Sequence, residues 1–227
     1  MVRILIILNV IVFFMWHDLG GEHSAFMVSN FLISWNALVA GRYWTLLTAV
    51  FSHIAVWHIL INMYVLYSFG TVLEKVLGSR LFIIIYLAFG IISSFAHAAV
   101  SNYILHQPDQ AALGASGAIS GLVLVFALMF PRLRLYILGL IPIPALIGAI
   151  AFMGLDVWGL VAQAHGGGLP IGHGAHLGGA FAGILFYYFY IRPRQQQYRM
   201  MVRSPARQQR TANQDTQNLS QVAAPSS

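Results

Sequence analysis

The sequence predicts an all-α integral membrane protein, a bundle of six transmembrane helices with a membrane-embedded loop between the first and second. Three observations carry that prediction. Apolar stretches close to the roughly 20 residues needed to cross a bilayer follow one another along most of the chain. Only 8% of the 227 residues are charged and 59% are hydrophobic, with mean hydropathy +0.74, whereas a soluble domain carries roughly 25% charged residues. The twelve basic residues also fall almost entirely on one side of such a bundle. Residues 1–194 are expected to form one membrane domain and 195–227 a disordered cytoplasmic tail.

The first span, Ile4 to Trp16 after Met1-Val2-Arg3, has the basic start and apolar core of a signal peptide but no small-x-small cleavage site. It is read as retained. Residues 17–57 mix polar groups with aromatics (Phe26, Phe31, Trp35, Tyr43, Trp44, Phe51, Trp57), and Trp and Tyr favour the membrane interface. A long connection of short helices lying in or on the outer leaflet is expected there, not a further span. The second span runs from about His58 to Leu73, the third from about Leu81 to Val100, and 101–113 is a polar loop. The fourth begins at Gly114 and stops at Pro131-Arg132. Proline is accepted in a helix's first turn and not in its interior, so the fifth is started near Pro142 and ended near Val161, with 135–141 along the inner interface. Asp156, in the outer half of that helix, either faces a cavity or marks the helix end, and the second reading is favoured. Residues 163–172, rich in glycine, form a flexible loop, and the sixth span runs from His173 to Ile191. Beyond Arg192 no sustained apolar period remains.

With the N-terminus inside, Arg3, Lys75, Arg80, Arg132, Arg134 and the six tail arginines are internal and only Arg42 is external. This matches the positive-inside rule. The net charge of +6 is then explained by topology and by anionic lipid, and no nucleic-acid partner is needed. The absence of cysteine excludes disulfides, thiolate catalysis and thiolate-held metals.

Spans two, four and six all run inward, and His58, Ser116 and His176 each lie near the first turn of one of them. Ionisable and polar groups at such depth raise a functional hypothesis. Asn62 shares a face with His58. Gly114, Gly117 and Gly121 on span four, and Gly179 and Gly183 on span six, form small-residue stripes that let backbones approach closely. Close approach suits a Ser116 nucleophile and a His176 base at hydrogen-bond distance, with His58, Asn62 and the Ser116 N–H as oxyanion donors. A metal set around His173 and His176, with His53, His58 and His165, lacks an acid or cysteine to complete it, so neither metal nor cofactor is expected.

Gly114-Ala-Ser116-Gly117, His58-x-x-x-Asn62 and Ala175-His176-x-x-Gly179 resemble the motifs of the rhomboid intramembrane serine proteases, bacterial-type six-span form, over roughly residues 42–191. The resemblance implies a dyad of Ser116 and His176 without a catalytic acid, and an oxyanion hole of His58, Asn62 and the Ser116 N–H. It makes 17–57 a membrane-embedded hairpin and 163–172 a cap over the site. It further implies single-span membrane proteins as substrates, cut near the outer end of their spans. The expected location is a bacterial inner membrane, with both termini cytoplasmic and the site opening outside. Oligomeric state is not indicated. One departure is Thr45 after Trp44, where many members carry arginine. The alternatives are an inactive relative that binds transmembrane helices and a histidine-lined ion transporter, which should show an internal repeat that this chain lacks.

Overall fold

The computed structural model of the protein describes residues 1–18, 24–137, 141–169 and 171–197. Among the described residues there are six apolar helices of ten or more residues: α1 (Val2–Asp18), α5 (Val56–Leu77), α6 (Ser79–Tyr103), α7 (Ser116–Met129), α8 (Ala145–Ala164) and α9 (His173–Phe186). Between α1 and α5 the described residues form three short helices, α2 (Ala25–Phe31), α3 (Trp35–Val39) and α4 (Thr45–Thr48), and a 3₁₀ turn at Ala49–Phe51. Four helical stretches among the described residues are long and apolar enough to cross a membrane: Val56–Leu77, Ser79–Tyr103, Ala145–Ala164 and His173–Gln197. The protein is an integral membrane protein built as a helical bundle.

The 17–57 connection forms short helices, as its mixed composition predicts. Ser24 and Ser34 cap α2 and α3 by accepting hydrogen bonds from the N–H groups of Met27 and Ala37, the usual office of serine at a helix start. Trp16 anchors the segment to α1 through an indole N–H donated to Ser52 Oγ at 2.6 Å. Thr45 is fully buried, and its hydroxyl is satisfied within the segment by donating to the Arg42 carbonyl at 2.6 Å. The change from arginine therefore leaves no unpaired group at this position.

With 14 residues, α7 reaches only about 21 Å at 1.5 Å per residue, short of the roughly 30 Å hydrocarbon core. The residues that precede it, 111–115, are not helical. There Ala112 pairs with Ile33 in an isolated bridge, and the Gly114 N–H donates to the Ala49 carbonyl at 2.9 Å. These bonds to the short-helix segment satisfy non-helical backbone, which is tolerated at membrane depth only where protein surrounds it or a cavity adjoins it. Ser116 thus begins its helix inside the protein. α7 makes its most extensive contacts with α6, and Phe82, Tyr86, Leu122 and Val125 are among the largest wholly buried side chains.

The start of the fifth apolar helix differs from expectation. Pro142 and Pro144 belong to strand β2 (Ile141–Pro144), which pairs antiparallel with β1 (Arg134–Ile137) and sets Ile143 opposite Leu135. α8 starts at Ala145, with Pro144 as its cap. The Ala145 N–H continues the ladder to the Leu133 carbonyl at 2.8 Å. The two prolines occupy the alternate positions, whose N–H would point away from the partner strand, so the ladder loses nothing by them. Residues 138–140 lie outside the described residues.

The chain divides into two compact units, Met1–Ile184 and Leu185–Ser227. In the second, a π-helical turn spans Tyr187–Ile191, and the Arg192 and Arg194 guanidinium groups lie over the Tyr188 and Tyr190 rings. Residues 195–197, placed in the tail by composition, are helical. The rest of the predicted disordered tail lies outside the described residues.

Candidate active site

Ser116 opens α7 and His176 lies in the first turn of α9, and their helices meet backbone to backbone. A Cβ on Gly179 would fall on the Gly117 carbonyl oxygen, and one on Gly183 would stand 2.5 Å from the Gly121 carbonyl oxygen. In the reverse direction, a Cβ on Gly121 would stand 2.7 Å from the Gly179 carbonyl oxygen. Any side chain at these positions would hold the helices apart. The approach brings Ser116 Oγ to 2.9 Å from His176 Nε2. His176 is 9% exposed and Ser116 half-buried.

The other nitrogen of His176 faces an acid. Nδ1 lies 2.9 Å from Asp156 Oδ1, and the same oxygen lies 2.7 Å from His173 Nδ1. Asp156 stands well inside α8 and is 3% exposed, so it does not mark the helix end as its sequence position suggested. The signal that would have found it is the rule applied to the histidines: an ionisable group inside an apolar span is a functional candidate. Asp156 also supplies the acid that was missing from the His173–His176 set, and the three donor atoms lie within 4.8 Å of one another. Their spacing nonetheless suits hydrogen bonds. Tetrahedral bonds of about 2.0–2.1 Å to a zinc ion would spread donor atoms to roughly 3.3 Å, beyond the 2.7 and 2.9 Å found here.

Across the site stand His58, in the first turn of α5, and Asn62 one turn on. The Asn62 amide donates to the His58 carbonyl at 2.9 Å, which leaves the second hydrogen of that nitrogen. The His58 ring lies edge-on to His53, with centroids 4.8 Å apart. The Ala115 N–H points at His53 Nε2 at 3.4 Å, which ties this ring pair to the turn that carries Ser116. His53 is fully buried, and burial, reinforced by nearby His58, pushes its pKa down to about 3. It is a neutral acceptor. Gly114 has a φ of +120°, which side-chain-bearing residues rarely adopt, and a Cβ there would stand 2.7 Å from His58 Cε1. Glycine is required by both conformation and space.

All four residues line one cavity of about 740 Å³, shared with Gly114, Phe152 and His97. Residues 40–193 match the family model described as the Rhomboid domain. The chain belongs to the rhomboid family. A mitochondrial rhomboid relative from Arabidopsis thaliana, RHOMBOID-like protein 12, is 36% identical over 188 residues, covering 78% of this chain and 54% of its own. Rhomboid protease GluP of Bacillus subtilis (strain 168) is 34% identical over 178 residues, 78% of this chain and 33% of its own. The rat presenilin-associated rhomboid-like protein, mitochondrial, is 34% identical over 146 residues, 62% and 36% respectively. The chain thus spans from a third to about half of the length of these relatives.

The rhomboid assignment frames the remaining expectations. The site residues named from sequence, Ser116, His176, His58 and Asn62, meet around one cavity, with Gly114, Gly117, Gly121, Gly179 and Gly183 at its close contacts. His165 is absent from the cavity lining and bonds the Val161 carbonyl within its own helix end. The 163–172 segment is held in place by Gln163, whose amide donates to the Leu169 and Ile171 carbonyls at 2.7 and 2.8 Å. Pro170 lies outside the described residues. Family membership does not single out the bacterial cell membrane, because relatives named as mitochondrial and chloroplastic match as well.

Proposed function

We propose that this rhomboid-family protein is an intramembrane serine endopeptidase that cuts transmembrane segments of other membrane proteins near their outer ends. The observation that carries the proposal is the 2.9 Å approach of Ser116 Oγ to His176 Nε2 in a cavity that contains Asn62 and His58. Ser116 Oγ attacks the scissile carbonyl carbon as its proton passes to His176 Nε2. The carbonyl oxygen, now an oxyanion, is met by donors from His58, Asn62 and the Ser116 N–H. Collapse breaks the C–N bond, and the proton on His176 goes to the leaving amine. Water then attacks the ester carbon, gives a proton to His176, and releases the acid as Ser116 recovers its own proton.

Lipid offers no replacement partners for a helix's internal hydrogen bonds, so a substrate must unwind to be cut. Gly weakens a helix by about 1 kcal/mol and Pro by about 3 relative to Ala. Segments with Gly or Pro near the outer boundary, cut after a small residue, are the substrates this cavity favours. The basic termini lie on the cytoplasmic or equivalent inner side, with the site opening opposite. The test is purified protein with a model single-span substrate, wild type beside Ser116→Ala, and fluorophosphonate labelling of the serine. Cleavage and labelling by wild type alone are expected. Binding of the span without cleavage by wild type would favour an inactive helix-binding protein.

A further inference from the structure

We propose that Asp156 is the positioning carboxylate of a three-residue chain, Ser116–His176–Asp156, and that His173 is the second donor that holds it. The inference rests on the protease reading above and departs from the two-residue dyad implied by the resemblance. To take the Ser116 proton, His176 must present a bare Nε2 and carry its hydrogen on Nδ1. An ionised carboxylate only accepts hydrogen bonds, so Asp156 Oδ1, 2.9 Å from Nδ1, selects that tautomer. It also meets the positive charge that forms when the ring is protonated.

His173 answers a difficulty that a lone Asp156 would have. A carboxylate this buried needs bonded partners, and His176 is a partner whose own charge changes in every turnover. His173 Nδ1 donates to the same oxygen at 2.7 Å and takes no part in the proton transfer. Its ring is confined, because the far edge lies against Gly159, where any Cβ would overlap Nε2. Among the described residues, the ionisable groups near His176 are His58 from α5 and His97 from α6, which line the same cavity, besides His173 and Asp156.

The test compares wild type, Ser116→Ala, Asp156→Asn, Asp156→Ala and His173→Gln in micelles. The measurements are kcat, KM, the pH profile of kcat/KM, and the nitrogen-15 NMR of histidine in wild type. Asp156→Ala is expected to lower kcat on the order of 10⁴-fold, as losing the orienting aspartate does in serine proteases, with KM changed less than about threefold. Asp156→Asn can still accept both N–H bonds but lacks charge. Its NH₂ can instead turn to Nδ1 and hold the wrong tautomer, so it should lose activity on the order of 10⁴-fold as well, and the residual acidic limb of kcat/KM should move to lower pH, because the protonated ring loses its counter-charge. His173→Gln should fall between wild type and Asp156→Ala. Wild-type His176 should carry its hydrogen on Nδ1. An unchanged kcat and acidic limb in Asp156→Ala would overturn the proposal. So would a wild-type spectrum with the hydrogen on Nε2, or a loss confined to thermal stability and KM. Wild type that neither cleaves nor labels would remove the protease reading and this inference with it. An active wild type with an unaffected Asp156→Ala would remove only the inference.

Discussion

Two histidine pairs each set one ring, His176 and His58, on the same cavity, and they differ in what stands behind them. His173 and His176 both bond one buried carboxylate oxygen. His53 and His58 pack edge-on at 4.8 Å, and among the described residues no carboxylate bonds either ring. The first pair has a counter-charge for a protonated imidazole. The second does not, and His53 is held neutral, with a pKa near 3. A ring that must gain and lose a proton needs the first environment, and a ring that only donates or accepts a hydrogen bond suits the second. Under the proposed protease function, the two sides of the cavity would divide between acid–base work and oxyanion binding.

Substitution of one histidine from each pair should separate these roles most strongly. His176→Ala is expected to reduce turnover to the level of Ser116→Ala, since it removes the only base within reach of the hydroxyl among the described residues. His58→Ala should lose on the order of 10²–10³-fold in kcat, the effect of deleting one oxyanion donor, and remain measurable. The double variant His58→Ala, Asn62→Ala should be lower still. Equal inactivity of the two single histidine variants would break the comparison. Full turnover by the double variant would refute the oxyanion assignment.

The glycines that hold each pair offer the next contrast. Gly179→Ala would place a methyl on the Gly117 carbonyl, and overpacking of this kind costs about 1–3 kcal/mol. It should lower thermal stability and spread Ser116 from His176, with slower fluorophosphonate labelling. Gly114→Ala would strain the backbone and press on His58, 2.7 Å away, so its loss should appear more in kcat than in labelling rate. Gly148→Ala, with 3.8 Å to its nearest neighbour, is the control and should change neither. A Gly179→Ala protein as stable and as reactive as that control would show that the backbone contact does not hold the Ser–His geometry.

Much of this was legible in sequence because membrane helices are announced by uninterrupted apolar composition and polar residues stand out against it. Ser116, His176, His58 and Asn62 stand out that way, and the structure sets all four on one cavity. Asp156 stands out equally, but whether it faces a cavity or marks a helix end is not legible from its own helix, because its partners sit 17 and 20 residues away, on another helix. Sequence spacing within one element cannot show such a meeting. The β1–β2 hairpin was missed for a different reason. Two prolines in four residues read as a helix start, and only the register reveals that both occupy positions where no N–H is required. The short span of α7 was hidden likewise, since Gly114 and Ala115 are as apolar as the helix they precede.

The smallest effect expected is at His53, and it tests the neutral side of the comparison directly. His53 contributes a ring face to His58 and an acceptor to the Ala115 N–H at 3.4 Å, a long bond. His53→Phe keeps the ring and removes the acceptor. A neutral hydrogen bond contributes about 0.5–1.5 kcal/mol net, so kcat should fall roughly 2–10-fold if the whole of that contribution bears on the Ser116 turn. The acidic limb of kcat/KM should stay where it is, because a group already neutral down to about pH 3 has no proton to give or take in the working range. A limb that moved in His53→Phe would mean that His53 titrates during turnover, and both pairs would then be acid–base groups.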